Sequence, residues 1–188
     1  MRVIAGSAKG RVLTVPKGKS VRPTAQFVRE AIFSMLADKI VDAEVLDLFA
    51  GSGSLGIEAL SRGAASCTFV DNDPRCIRTI EQNLLKTQLS DRALVCRMNV
   101  YTAIEVMEKQ MRQFDVVFAD PPYDEGHELL LLTRLGEGRI LSPSGTVVLE
   151  HSCRTEAPVD AGRLARTALK SYGDSHVSVY VCMAEGRM

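Results

Sequence analysis

From Glu44 onward the apolar residues alternate between two rhythms. Runs at 45–50, 67–70, 93–98, 115–119 and 146–150 are too short for helices and read as buried strands. Stretches with helical spacing lie between them. The first opens at Ser54 and stops at Gly63, a residue suited to the position after a helix. The second opens at Asp73-Pro74, an acidic cap followed by proline in the first turn, and two more fall near 102–112 and 126–135. Strands alternating with helices predict an α/β fold with a mostly parallel, doubly wound sheet. The rhythm then ends in a predicted antiparallel pair, 164–172 and 176–182, joined by Gly173-Asp174-Ser175.

The first forty residues differ. Two short strands, 3–5 and 11–15, flank a turn at Ser7-Ala8-Lys9-Gly10, and a loop broken by Pro16, Gly18 and Pro23 follows. Thr24 is the expected N-cap of a helix whose apolar face is Phe27, Val28, Ala31, Ile32, Met35 and Leu36. The expected organisation is a small hairpin and linker extension over 1–23 and a main domain over 24–188.

Charge sharpens that division. The 188 residues carry 23 basic and 23 acidic side chains, yet residues 1–30 hold seven basic ones against Glu30 alone, a net of +6. Lys9, Arg11 and Arg22 are the candidate contacts to a polyanion such as RNA; the competing reading is a solvated, partly mobile arm. With 46% hydrophobic residues the chain can bury a core without staples, and Cys67, Cys76, Cys96, Cys153 and Cys182 form no C-x-x-C pair, so reduced thiols and no metal are expected. No apolar run approaches the roughly 18 residues of a membrane span, and the basic, interrupted start is unlike a secretory signal. A cytoplasmic protein is expected.

The first strand runs into Asp47-Leu48-Phe49-Ala50-Gly51-Ser52-Gly53-Ser54-Leu55-Gly56, with glycines spaced G-x-G-x-x-G between strand and helix. Asp71, closing the second strand, stands where a ribose hydroxyl needs an acceptor. NAD fits that spacing. S-adenosylmethionine offers the same adenosine, with an amino acid in place of pyrophosphate. Asp47 favours the second, because a carboxylate beside this loop repels pyrophosphate and attracts an ammonium or sulfonium. Asp47 also reads as an acid that caps the helix or orders the loop.

The fourth strand ends in Asp120-Pro121-Pro122-Tyr123. In a doubly wound sheet the loops after the first and fourth strands flank the ligand crevice, so tetrad and glycine loop should face each other. The exocyclic amine of a base is a poor nucleophile because its lone pair is delocalised into the ring. An Asp120 carboxylate and a Pro121 carbonyl would accept its N–H groups, Pro122 would stiffen the backbone, and Tyr123 would offer a face for stacking. A merely structural reading is a strand-ending turn stiffened by two prolines. His127, His151 and Cys153 lack metal or nucleophile spacing and read as surface or strand-end residues; Glu58 and Glu150 read as helix-face and strand-end carboxylates. The 129–132 leucine run reads as helix-to-sheet packing.

Several stretches resemble the small bacterial ribosomal RNA guanine-N2 methyltransferases that act on 16S RNA: Arg2-Val3-Ile4-Ala5-Gly6, Lys9-Gly10-Arg11, Arg22-Pro23-Thr24, Leu46 to Gly53, Leu55 to Ala64, the tetrad and Tyr172-Gly173. The resemblance implies a Rossmann-like class I methyltransferase with a small N-terminal extension; a monomer is expected, though the sequence itself does not give the oligomeric state. It implies S-adenosylmethionine as cofactor and 16S rRNA, or the small ribosomal subunit, as partner. Asp47, Phe49, Gly51 and Gly53 would line its methionine end, Asp71 and Asn72 the ribose, and Asp120 to Tyr123 the target base. Where many relatives carry an acid for the adenine amine, Asn99 stands here, with an amide oxygen that can also accept. Related tetrads occur in enzymes that methylate DNA adenine N6 or protein glutamine N5, and a non-catalytic RNA-binding module is the remaining alternative.

Overall fold

Two-residue periodicity decides which way each strand presents its side chains. In the computed structural model, which describes residues 1–16, 26–122 and 126–183, the parallel strands are β1 (Glu44–Leu48), β2 (Ser66–Asp71), β3 (Ala93–Arg97), β4 (Phe114–Ala119) and β5 (Leu141–Ser152). Val45, Cys67, Phe69, Val116, Phe118 and Val148 point to one face, and Leu46, Leu48, Val70, Val117, Val147 and Leu149 to the other. Helices α1 (Gln26–Leu36), α2 (Ser54–Ser61) and α3 (Pro74–Thr87) cover the first face. Helices α4 (Val100–Lys109) and α5 (His127–Glu137) cover the second.

The chain ends in β6 (Asp160–Ala161), β7 (Leu164–Tyr172) and β8 (Ser175–Cys182). The sheet runs β3-β2-β1-β4-β5-β8-β7-β6, with β8 antiparallel to both β5 and β7. The doubly wound expectation holds, including β1 beside β4 at the reversal point. No helix links β5 to β7. None of the helices described is long and apolar enough to cross a membrane.

Two element starts and the packing of one leucine run differ from the expected ones for identifiable reasons. Strand β5 starts at Leu141 rather than at 146, because a register shift between Phe114 and Val116 absorbs Pro143-Ser144-Gly145 as an irregularity in the ladder. Helix α4 starts at Val100 rather than at 102, because the Asn99 side chain caps it, accepting from the Tyr101 N–H at 2.9 Å. The leucine run of α5 splits: Leu131 and Leu132 are buried, while Leu129 and Leu130 face out.

The N-terminal hairpin is also not two regular strands. A single bridge joins Arg2 to Val12, and docking on helices replaces the missing ladder. Glu58 of α2, read above as a helix-face acid, is buried and accepts from Ile4 N–H at 2.7 Å and Ala5 N–H at 3.0 Å, with Arg62 at 2.7 Å. The Ser61 hydroxyl donates to Ala5 O, and Ser7 N–H donates to Ser61 O at 2.8 Å. Gly6 passes so close that a Cβ there would stand 1.8 Å from Ser61 O. Val3, Ala8 and Leu13 thus join the same core cluster as α1 and α2. Lys9 and Arg11 remain exposed on the outer side; Arg22 and the expected cap Thr24 lie outside the described residues.

Candidate active site

The strand alternation that builds the core also builds the site. Continuing the face of Val45, Phe69, Phe118 and Val148 by one more step gives Asp47, Asp71, Asp120 and Glu150. The registers pair Asp47 with both Phe69 and Phe118, and Phe118 with Val148. Asp71, Asp120 and Glu150 therefore stand one pleat above Asp47 at the carboxyl end of the sheet. Four carboxylates on adjacent strands, ordered β2, β1, β4, β5, face the same crevice. Glu150, set aside above as a strand-end residue, was visible in the sequence as the acid two positions beyond Val148.

Electrostatics follow from that crowding. Burial pushes the Asp47 carboxyl up to about 7, opposed by a hydrogen bond from Gly56 N–H and reinforced by Asp71. Burial also pushes Asp120 well above the usual carboxylate range, with Glu150 and then Asp47 adding to the effect. A ligand bringing positive charge into the crevice restores both groups to their ionised forms.

Asp47 combines the two roles that its position allowed. Its Oδ2 accepts from Gly56 N–H at 2.9 Å, ordering the first turn of α2, while its carboxyl remains among the crevice acids. The loop above it turns through left-handed backbone at Phe49, Gly51 and Gly53, with φ of 57°, 56° and 74°. Gly53 is the N-cap of α2, and a Cβ at Gly56 would stand 2.3 Å from the Phe69 ring. Asp71 holds the same loop: its Oδ2 accepts from Gly51 N–H at 2.9 Å and its Oδ1 from Asp73 N–H at 2.8 Å. Each oxygen keeps a second lone pair for a hydroxyl. Asn72 is exposed beside it.

The other predicted residues fall as follows. Asp120 lies one position beyond β4, opposite Phe49 one position beyond β1, so the start of the tetrad and the start of the glycine loop adjoin as expected. Pro121 is buried and Pro122 exposed, while Tyr123 lies outside the described residues. Asn99 sits at the mouth beyond β3 with its amide oxygen engaged in capping α4, which leaves a lone pair and the amide N–H groups for an adenine. His151 is buried rather than superficial, its Nε2 3.0 Å from the Ser178 hydroxyl.

Sequence reasoning also missed a ring cluster behind the loop. His127, the first residue of α5, lies 2.8 Å through Nδ1 from the Tyr101 hydroxyl, and its ring centroid is 5.6 Å from that of Phe49. It ties the start of α5 to Phe49 of the glycine loop and to α4. Among the described residues no group of three or more histidine, cysteine or acidic side chains is placed to hold a metal.

Sheet order, glycine loop and crevice define a class I methyltransferase with a Rossmann-like fold. A family model described as conserved hypothetical protein 95 matches residues 1–181, and the chain belongs to that family. It is similar to the putative rRNA methyltransferase YlbH of Bacillus subtilis, 43% identical over 180 residues spanning 96% of this chain and 98% of the relative. It is similar to ribosomal RNA small subunit methyltransferase D of Escherichia coli K12, 41% identical over 186 residues spanning 99% and 92% of the two chains. Among solved structures, the putative methyltransferase yhhF from Escherichia coli superposes with a TM-score of 0.85 at 32% identity, over 98% of this chain and 99% of that one. The resemblance read from the motifs is borne out.

Proposed function

We propose that this protein transfers a methyl group from S-adenosylmethionine to the exocyclic N2 amine of a guanine in small-subunit ribosomal RNA. The observation that carries the reading is the row of carboxylates, the buried Asp71 and Asp47 with Asp120 next in line, that closes adjacent strands beside the glycine loop. The donor supplies an electrophilic methyl on a sulfonium centre. Its two positive groups suit a crevice in which burial holds Asp47 and Asp120 above their ordinary ionisation range. The left-handed backbone at Gly51 and Gly53 allows a ligand to approach the loop closely, and the free lone pairs of Asp71 suit the ribose hydroxyls.

On the acceptor side, the Asp120 carboxylate and the Pro121 carbonyl accept the two N–H groups of the amine. They draw its lone pair out of conjugation and aim it at the methyl. Asp120 is the group placed to take the proton that the nitrogen sheds as the new bond forms. An acceptor pair of this kind suits any planar amide-like amine, so the choice of guanine rests on the relatives' ribosomal substrates and on the basic hairpin.

The test is transfer of tritiated methyl to small ribosomal subunits and to naked 16S RNA lacking the modification, followed by nucleoside digestion. Label recovered as N2-methylguanosine is the expected result. Label only in DNA adenine or protein glutamine overturns it. Arg11→Glu combined with Arg22→Glu is expected to weaken RNA binding and to lower the slope of log affinity against log salt by about 2, since each lost phosphate contact releases roughly one counterion fewer. An unchanged slope removes the hairpin and linker from the RNA interface.

A further inference from the structure

Asn83 stands on α3, fully buried, and its three side-chain hydrogen bonds join two segments far apart in sequence. Its Oδ1 accepts from Thr14 N–H at 2.8 Å, and its Nδ2 donates to Thr14 O and to Ser52 O, each at 2.9 Å. Thr14 belongs to the returning arm of the N-terminal hairpin. Ser52 lies between the two left-handed glycines of the loop, and the next peptide nitrogen, Gly53 N, donates to Ala50 O at 2.7 Å.

Asn83 therefore fixes the orientation of the Ser52–Gly53 peptide from outside the loop, as Asp71 fixes Gly51 and Asp47 fixes Gly56. On its far side that peptide meets Gly53, whose φ of 74° lies in the left-handed region, so the backbone there resists a turn of the peptide less than an ordinary residue would. The hairpin arm in turn orients Asn83, because the Thr14 N–H and carbonyl grip both ends of its amide. Lys86 donates to the Thr14 hydroxyl and steadies the arm from the next turn of α3.

We propose that Asn83 is a positioning residue for the cofactor loop, and that the N-terminal hairpin, through Thr14, is a working part of the cofactor site although it does not reach the crevice. This inference rests on the loop binding S-adenosylmethionine. Loss of the amide leaves the buried Ser52 carbonyl without that donor and the peptide held only through Gly53 N–H to Ala50 O, so the cost falls on cofactor affinity. Chemistry at saturating cofactor is spared, because neither Asp120 nor Pro121 is touched.

The experiment measures S-adenosylhomocysteine binding by calorimetry, and KM and kcat on small ribosomal subunits, for the wild type, Asn83→Ala, Thr87→Val and Leu13→Ala. Thr87 is a comparably buried residue one turn along α3, whose hydroxyl bonds only to helix carbonyls in the described contacts. Leu13 is the core anchor next to Thr14. Asn83→Ala is expected to weaken S-adenosylhomocysteine about tenfold, the factor that 1.4 kcal/mol represents, and to raise the cofactor KM in parallel with kcat within about threefold. Thr87→Val is expected to lower the melting temperature without moving the affinity, and Leu13→Ala to weaken binding several-fold.

Affinity unchanged in Asn83→Ala overturns the positioning role, and so does an equal loss in Thr87→Val. Affinity unchanged in a folded Leu13→Ala overturns the part assigned to the hairpin. Should Asn83→Ala not fold, Leu13→Ala decides. A wild type that binds no S-adenosylhomocysteine overturns the cofactor reading itself, which the variants do not touch.

Discussion

Asp120→Ala is expected to lower kcat for methyl transfer by about a thousandfold while leaving S-adenosylhomocysteine affinity within about threefold of wild type. The asymmetry follows from position. Asp120 belongs to the tetrad after β4, whereas the proposed cofactor contacts lie in the loop after β1 and at the acid closing β2. Removing Asp120 removes an acceptor for the amine N–H and the group placed to receive its proton. Asp120→Asn separates the two tasks, because the amide oxygen still accepts a hydrogen bond but takes no proton. Its kcat is expected to lie between those of the wild type and Asp120→Ala. Rapid-quench measurement with saturating cofactor checks both; a kcat for Asp120→Ala near wild type would remove Asp120 from the chemistry.

The carboxylate row shows how far such a site is legible in a chain of letters. Asp47, Asp71 and Asp120 stood out because each closes or interrupts an apolar strand, and period two alone places them on one face. Glu150 obeys the same rule, but β5 runs past it to Ser152 and also starts earlier than expected, since the irregularity at Pro143 to Gly145 looks like a loop until the shift in β4 is seen. What sequence spacing could not supply is the partner of each polar group. Glu58 and Asn83 look like ordinary helix residues, and only the docked hairpin turns them into anchors. Asp71 and Asn99 were expected to serve a ligand alone, yet each also ties down a backbone N–H, because strand ends and helix starts leave such donors bare.

A site made this way is held under electrostatic tension in the absence of ligand, and Asp47 is where that tension can be measured. Its carboxyl ionises near 3.9 in an unfolded chain and at about 7 in the fold. The folded state thus holds the proton more tightly. The resulting stability is fully present below pH 4 and is lost as pH rises through 7, a change of roughly 4 kcal/mol at most. Asp47→Asn keeps an oxygen for the Gly56 N–H and abolishes the ionisation. At pH 8 the variant is expected to be more stable than wild type by about 2–4 kcal/mol, a rise in melting temperature of roughly 5–10 °C for a chain of this size. At pH 4.5 the two should converge. Cofactor binding should move the other way: a cationic ligand favours ionised Asp47, so wild-type binding releases protons and tightens between pH 6 and pH 8. In Asp47→Asn the affinity should be lower and that Asp47-linked proton release lost. Melting curves and calorimetry in buffers of different ionisation enthalpy read both effects. A stability gap that does not change with pH would mean that Asp47 is already ionised in the free protein, and that the crevice is not waiting for a cation.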